Sequence, residues 1–196
     1  MTAVQRFDQD IIVSLIPEGS RVLDLGCGNG DLLTKLKQKG TSDIRGVEIE
    51  DRCIAVCVRK GLTVFHGDID DGLKSYPDKS FDFVILNQSL QEMLKIDYVV
   101  DEALRVGKKV IIGFPNFAHI SSRLKLLFLG KAPVTENLPY SWYDTPNIRF
   151  LGIKDFKEYC RKKNMKILSA HYLGKHNKIL FLPNLFAEYA IFVVKR

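Results

Sequence analysis

Five apolar runs of strand length, each followed by a stretch of helical character, constrain this chain more than any single motif. They are RVLDLG (21–26), DIRGVEIE (43–50), LTVFHGD (62–68), FDFVILNQ (81–88) and KKVIIGFPN (108–116). The first, fourth and fifth show little polar alternation. Strands that are apolar on both sides belong in a parallel sheet covered by helices on both faces. Helices are expected between them at 30–39, 51–60 and 97–106. Strand and helix in alternation imply right-handed crossovers and a doubly wound, mostly parallel α/β sheet. At 196 residues, 46% of them hydrophobic, the chain can bury a sizeable core and reads as one domain over residues 1–196.

The rhythm changes after Asn116. No strand is expected from Phe117 to Phe150, which reads as a helix-plus-loop insertion at about 117–150. FAHISSRLKLLFLG has helical spacing and ends at Gly130, and its Leu124, Leu127 and Phe128 read as a face packed on the core, with an exposed apolar face for a partner protein as the alternative. KAPVTENLPYSWYDTPNIRF follows, with three prolines and the only tryptophan. An irregular stretch this long in a compact domain is usually functional or an insertion. Tyr140, Trp142 and Tyr143 cluster beside Asp144 and Arg149. The cluster reads either as a lid or acceptor pocket, with Arg149 holding a carboxylate in a bidentate contact, or as a surface loop packed by its own aromatics, with Asp144 and Thr145 capping a turn before Pro146. A helix at 153–164 and two runs at 165–174 and 188–196 close the chain, the runs suiting a hairpin at the sheet edge.

The formal net charge of +6 is spread over scattered lysines and forms no block, so nucleic acid is not an expected partner. Cys27, Cys53, Cys57 and Cys160 fit neither zinc-ribbon nor disulfide-scaffold spacing. They read as reduced thiols in a cytoplasmic protein, and no metal site is expected. The first residues, with Asp8 and Asp10 before a short apolar run, are unlike a signal peptide. The longest apolar region is broken by Pro183 and Glu188, so no membrane span is expected.

Chemistry concentrates where the first strand hands over to a helix, in VLDLGCGNGDLL. Gly26, Gly28 and Gly30 permit a tight turn, and without Cβ atoms a ligand can lie directly on the main chain. The helix N-terminus beyond presents unpaired N–H groups. The spacing is G-x-G-x-G, and Asp31 stands where a dinucleotide fingerprint has its third glycine. Asp24, two positions before the first glycine, would repel a pyrophosphate and attract an ammonium group. Glu48 ends the second strand, 20 positions after Gly28 (48 − 28), where a carboxylate can accept from both ribose hydroxyls. Asp68 ends the third strand, placed to accept from an adenine amino group, with the Ile69 N–H offered to the ring. Ammonium, ribose and adenine together describe S-adenosylmethionine or S-adenosylhomocysteine as the small-molecule ligand. The expected lining is Asp24, Gly26, Cys27, Gly28, Glu48, Ile49, Asp68, Ile69 and Asn87. Asn87, Gln88 and Gln91 follow the fourth strand, near the sulfonium end. A general base is needed only if a methyl acceptor must lose a proton. His119 and His66 are candidates, although a lone histidine is more often structural, and no catalytic residue is assigned.

VLDLGCGNG, VEIE and HGDID, in that order at three strand ends, resemble the class I S-adenosylmethionine-dependent methyltransferases. The resemblance implies a Rossmann-like sheet of seven strands with the last one antiparallel. No Asn/Asp-Pro-Pro-aromatic signature follows the fourth strand, which argues against methylation of a nucleobase. RVLDLGCGNGDLL, GVEI, DFVILNQSLQ, GFPNFAHISSRLKLLFLGKAP and LPYSWYDTPNIRFLGIKDFKEYC resemble, more narrowly, the MetW family of methionine biosynthesis. That resemblance implies homoserine O-acyltransferase as a partner. It leaves open whether the chain transfers a methyl group to a small acceptor.

Overall fold

The computed structural model describes residues 3–136 and 138–196, with side chains from Phe7 onward. Helix α1 (Ala3–Leu15) leads into strand β1 (Arg21–Leu25), helix α2 (Asp31–Lys39), β2 (Asp43–Glu48), α3 (Asp51–Arg59) and β3 (Thr63–His66). Then come β4 (Phe81–Asn87), α4 (Ile96–Val106), β5 (Gly107–Pro115), α5 (Ile120–Leu129) and α6 (Ile153–Lys162). β6 (Lys166–Leu173), the short α7 (Pro183–Phe186) and β7 (Tyr189–Lys195) complete the order.

The seven strands form one sheet in the order β3-β2-β1-β4-β5-β7-β6. β1 to β5 pair in parallel, and β7 runs antiparallel to both neighbours. The expected terminal pair does form, but only β6 lies at the edge. β7 is inserted between β5 and β6, which is why Tyr189 to Val194 are buried on both faces.

Period-two alternation splits each central strand between two cores. Leu23 and Leu25 of β1, Val84 and Leu86 of β4, and Ile112 and Phe114 of β5 face α4 and α6. Val22, Phe83, Ile85 and Ile111 face α1 and α2, meeting Ile12, Ile16, Leu32 and Leu36. Each fully buried side chain of this kind contributes roughly 1.5–3 kcal/mol relative to exposure. Helix α1, which the sequence pattern did not signal, is the cover of the second core.

Most parallel strands stop one or two residues short of the apolar runs that announced them. Gly26, Ile49, Glu50, Gly67, Asp68 and Gln88 leave the sheet at the carboxyl ends and line its mouth. Segment 117–150 carries α5, otherwise irregular apart from a bridge between Thr135 and Leu138. Helix α5 ends at Gly130 as its spacing indicated, but its orientation corrects the expected packing. Of its residues only Ser122 is buried, and Leu124, Leu127 and Phe128 face outward. Helical spacing fixes which residues share a face, not what the face meets.

Candidate ligand site at the carboxyl ends of the strands

Two adjoining cavities, of about 380 and 260 Å³, open over β1 and β2 and share Gly26, Gly28, Cys53 and Gln88. The larger holds Gly26, Gly28, Glu48, Ile49, Asp68 and Ile69 of the expected set. The smaller holds Asp24, Gly26, Cys27, Gly28 and Asn87.

The glycine loop continues the sheet, because the Gly26 and Cys27 N–H groups both donate to the Val47 carbonyl, at 2.9 and 3.2 Å. Its later glycines serve different ends. Gly28 (φ 52°) has open space where a Cβ would stand. Gly30 (φ 72°) is pressed on the hydrophobic floor, where a Cβ would lie 2.5 Å from Leu62 and 2.8 Å from the Cys57 sulfur. That floor is Cys27, Leu33, Cys57 and Leu62. The four cysteines are free thiols, and burial pushes the Cys27 thiol well up, aided by the nearby Asp24. Cys27 is a floor residue beneath the loop.

Glu48 organises the mouth. Its Oε2 accepts the Gly28 N–H at 2.7 Å, and its Oε1 accepts the Ile49 and Glu50 N–H groups at 2.8 and 3.0 Å. Each carboxylate oxygen has two acceptor sites, so Oε2 keeps one open to a ribose hydroxyl. Asp68 accepts the Asp70 N–H at 2.8 Å through Oδ1, capping the turn at Ile69–Asp71. Ile49 is exposed at the cavity wall, where a flat ring can stack.

Asp24 is buried, and loss of hydration, together with the Glu48 charge, raises its carboxyl to about 7. A positive group placed beside it would restore its charge. Among the described residues lining the two cavities there is no lysine, arginine or histidine, whereas Asp24, Glu48, Glu50, Asp68, Asp70 and Glu92 all take part. Lys60 binds Asp31 at 2.6 Å and the Asn29 carbonyl at 2.7 Å from outside the lining. Ser89 lines the larger cavity with its hydroxyl buried and unpartnered. The lining is anionic and favours a cationic group over an anionic one.

Asn87 lines the smaller cavity and is also held from within the protein. Its Nδ2 donates to Asp8 at 3.1 Å, and its Oδ1 accepts the Tyr189 hydroxyl at 2.7 Å. Both ends of the amide are engaged inside the protein. Asp8, fully buried, also accepts from Gln88 Nε2 at 3.0 Å and so ties α1 to the end of β4. Burial raises the Asp8 carboxyl, against the pull of these hydrogen bonds. Sequence reasoning missed this clamp, and it missed Glu92, Ser89 and Met93, because 88–94 forms a short turn with no periodic signature.

Neither histidine reaches the lining. His119 caps α5, its Nδ1 lying 2.7 Å from the Ser121 hydroxyl and accepting the Ser121 N–H at 3.3 Å. Its partial burial lowers its affinity for a proton. His66 is exposed at the end of β3, 3.8 Å from Asp51. Arg149 donates to the Leu94 carbonyl at 3.1 Å, and the Ile148 and Arg149 N–H groups both donate to the Gln91 carbonyl at 3.0 Å. Tyr140 and Trp142 enclose a separate apolar cavity of about 390 Å³ with Phe117, Leu126 and Phe150.

Sheet order, acid-lined mouth and glycine turn define a class I S-adenosylmethionine-dependent methyltransferase fold. A protein of Thermotoga maritima described as an S-adenosylmethionine-dependent methyltransferase, possibly a histamine N-methyltransferase, superposes with a TM-score of 0.69 at 17% identity, covering 98% of this chain and 89% of that one. The chain belongs to the family described as methionine biosynthesis protein MetW, whose profile matches residues 6–194. It is 35% identical over 169 residues to the bifunctional methionine biosynthesis protein MetXA/MetW of Rhodopirellula baltica, which covers 82% of this chain but 27% of that protein. It is 29% identical over 118 residues to 27-O-demethylrifamycin SV methyltransferase of Amycolatopsis mediterranei, covering 53% of this chain and 42% of that protein. The chain therefore spans less than half the length of these two relatives. Among the described residues no helix is long and apolar enough to cross a membrane.

Proposed function

We propose that this chain binds S-adenosylmethionine, or S-adenosylhomocysteine, and acts with a homoserine O-acyltransferase in methionine biosynthesis. Adenosyl binding is carried by one observation: acidic side chains, and no basic ones, line the cavities beside the glycine loop. Asp24 takes the ammonium side, Glu48 a ribose hydroxyl through the open site on Oε2, and Asp68 with the Ile69 N–H the adenine edge, over Gly26 and Gly28. Asn87 acts indirectly, holding α1 against the smaller cavity. The partnership draws support from the bifunctional relative, in which a MetW segment shares a chain with a second named module. The setting is the cytoplasm, where free thiols stay reduced.

Calorimetry with S-adenosylmethionine, S-adenosylhomocysteine and NAD tests the ligand. Heat from the two adenosyl amino acids and none from NAD is expected, and the reverse order overturns the assignment. The partnership is tested by the acyl-transfer rate with and without this chain. An unchanged rate in a mixture that does not associate counts against it.

A second reading is methyl transfer to a small acceptor. It is favoured by Glu92, a cavity carboxylate whose proton affinity is raised by burial and by Glu48 and Glu50. Such a group can take a proton from an acceptor. Transfer of a labelled methyl group into a metabolite extract, lost in Glu92→Gln, is the outcome that would establish it.

A further inference from the structure

Helix α5, segment 131–150 and segment 180–186 together expose large apolar side chains as one surface. Leu127 and Phe128 are each 74% exposed, Trp142 77%, Tyr143 73%, Leu180 91% and Phe181 73%. The three pieces are joined. Arg123 on α5 donates to the Asn184 carbonyl at 3.5 Å, and Lys125 donates to the Val134 carbonyl. The Phe181 and Phe186 rings stack at 6.4 Å. Leu182 sits between them in the left-handed region (φ 42°). A non-glycine residue there costs on the order of 1 kcal/mol, yet the turn holds two apolar neighbours in solvent.

Contiguous apolar surface of this kind marks an interaction site. Trp, Tyr and Phe are the residues that dominate binding at interface cores. Its border carries both signs: Lys131, Lys154 and Lys178 are exposed, and so are Glu136, Asp144 and Asp155. The surface also touches the ligand site. Gln91, whose carbonyl holds the Ile148 and Arg149 N–H groups, lies in the turn that contributes Gln88, Ser89 and Glu92 to the larger cavity.

We propose that this surface is where the homoserine O-acyltransferase docks, through an apolar patch of its own, an assignment that rests on the partnership proposed above. The occupant is chosen by the Rhodopirellula baltica protein, which keeps a MetW segment tethered to a much longer chain at 27% of its length. A permanent tether raises the local concentration of the two modules and favours a matched face on each.

Binding of the full chain to the acyltransferase of its own source organism is measured by calorimetry for four proteins: the unmodified chain, Phe128→Asp, Phe181→Asp and, as a control, Arg59→Glu at the far end of the sheet. All positions are solvent-facing, and melting curves check that each variant is folded. Each apolar-to-acid change is expected to weaken binding by about 30-fold or more, the loss typical of an interface hot spot, and Arg59→Glu to leave it unaltered. If the unmodified chain binds and both apolar variants bind as tightly, the docking face lies elsewhere and this inference falls while the partnership stands. If the unmodified chain does not bind the acyltransferase, the partnership fails and takes the inference with it. If the unmodified chain self-associates in sedimentation while Phe128→Asp is monomeric and binds the acyltransferase normally, a second copy is the occupant and the inference is overturned. Binding of lipid vesicles by the unmodified chain, lost in Phe128→Asp with acyltransferase binding intact, overturns it in favour of a membrane surface.

Discussion

The sheet mouth is finished in opposite ways on its two sides. Over β1, β2 and β3 the walls are carboxylates, and Glu48 is held by three backbone N–H groups. Beyond β5 the walls are leucines and aromatics that stand in water. On the first side the polar groups are fixed in advance, which suits a small ligand bound by directed hydrogen bonds. On the second side the free energy is stored as uncovered apolar area, released only when a large surface covers it. One short turn, 88–94, borders both. The contrast teaches that the fold alone specifies neither surface. Each is built by the loops that leave the strand ends.

The contrast breaks first at Glu48. Glu48→Ala removes the acceptor of the Gly28 N–H and the group proposed for the ribose, and adenosyl binding should fall about 100-fold by calorimetry, near 2.7 kcal/mol. Undiminished binding would place the ribose elsewhere. Gly30, pressed on its neighbours, and Gly28, open, then separate stability from binding. Gly30→Ala, with its Cβ inside Leu62 and Cys57, should lower unfolding free energy by about 2 kcal/mol in urea. Gly28→Ala meets no atom, so it should cost the fold less while hindering the ligand. Equal stability losses would show that both glycines are merely structural.

Asp24 sharpens the comparison through pH. Its carboxyl is raised to about 7 in the ligand-free fold, against an ordinary value near 4. The protonated form is therefore favoured on folding, so this group lowers stability as pH rises from about 4 to about 7, and the loss is complete above that. A bound cation favours the ionised form. Affinity for S-adenosylmethionine should accordingly increase about tenfold from pH 6 to 8 and level off, with proton release that varies with buffer. Asp24→Asn should flatten the profile, and a profile unchanged in that variant would remove Asp24 from ligand contact. The smallest effect is expected on the apolar side, where Leu127→Ser should move unfolding free energy by no more than about 0.5 kcal/mol. A larger loss would mean that α5 supports the fold in the isolated chain.

Particular residues show what could be read without coordinates. Asp24, Glu48 and Asp68 were placed at the mouth from the sequence because Asp24 stands two residues before the glycine turn and the other two close apolar runs, and carboxylates near parallel strand ends converge on one mouth. His119 was, with His66, one of two candidate bases, and it caps α5, since a cap is defined by a neighbour's N–H. Asn87 sat at a strand end like the others, but its amide points to Asp8 and Tyr189. Those partners lie 79 and 102 positions away along the chain, beyond the reach of any local pattern.

By itself, the sequence determined the alternation of strand and helix, the glycine turn and the acidic strand ends, all of which follow from short-range periodicity and backbone sterics. The tertiary structure decided three things: the insertion of β7 between β5 and β6, the clamp of α1 through Asp8, and the outward face of α5. Each depends on which distant surface a segment meets, and hydrophobic pattern sets how much area seeks cover without naming what provides it.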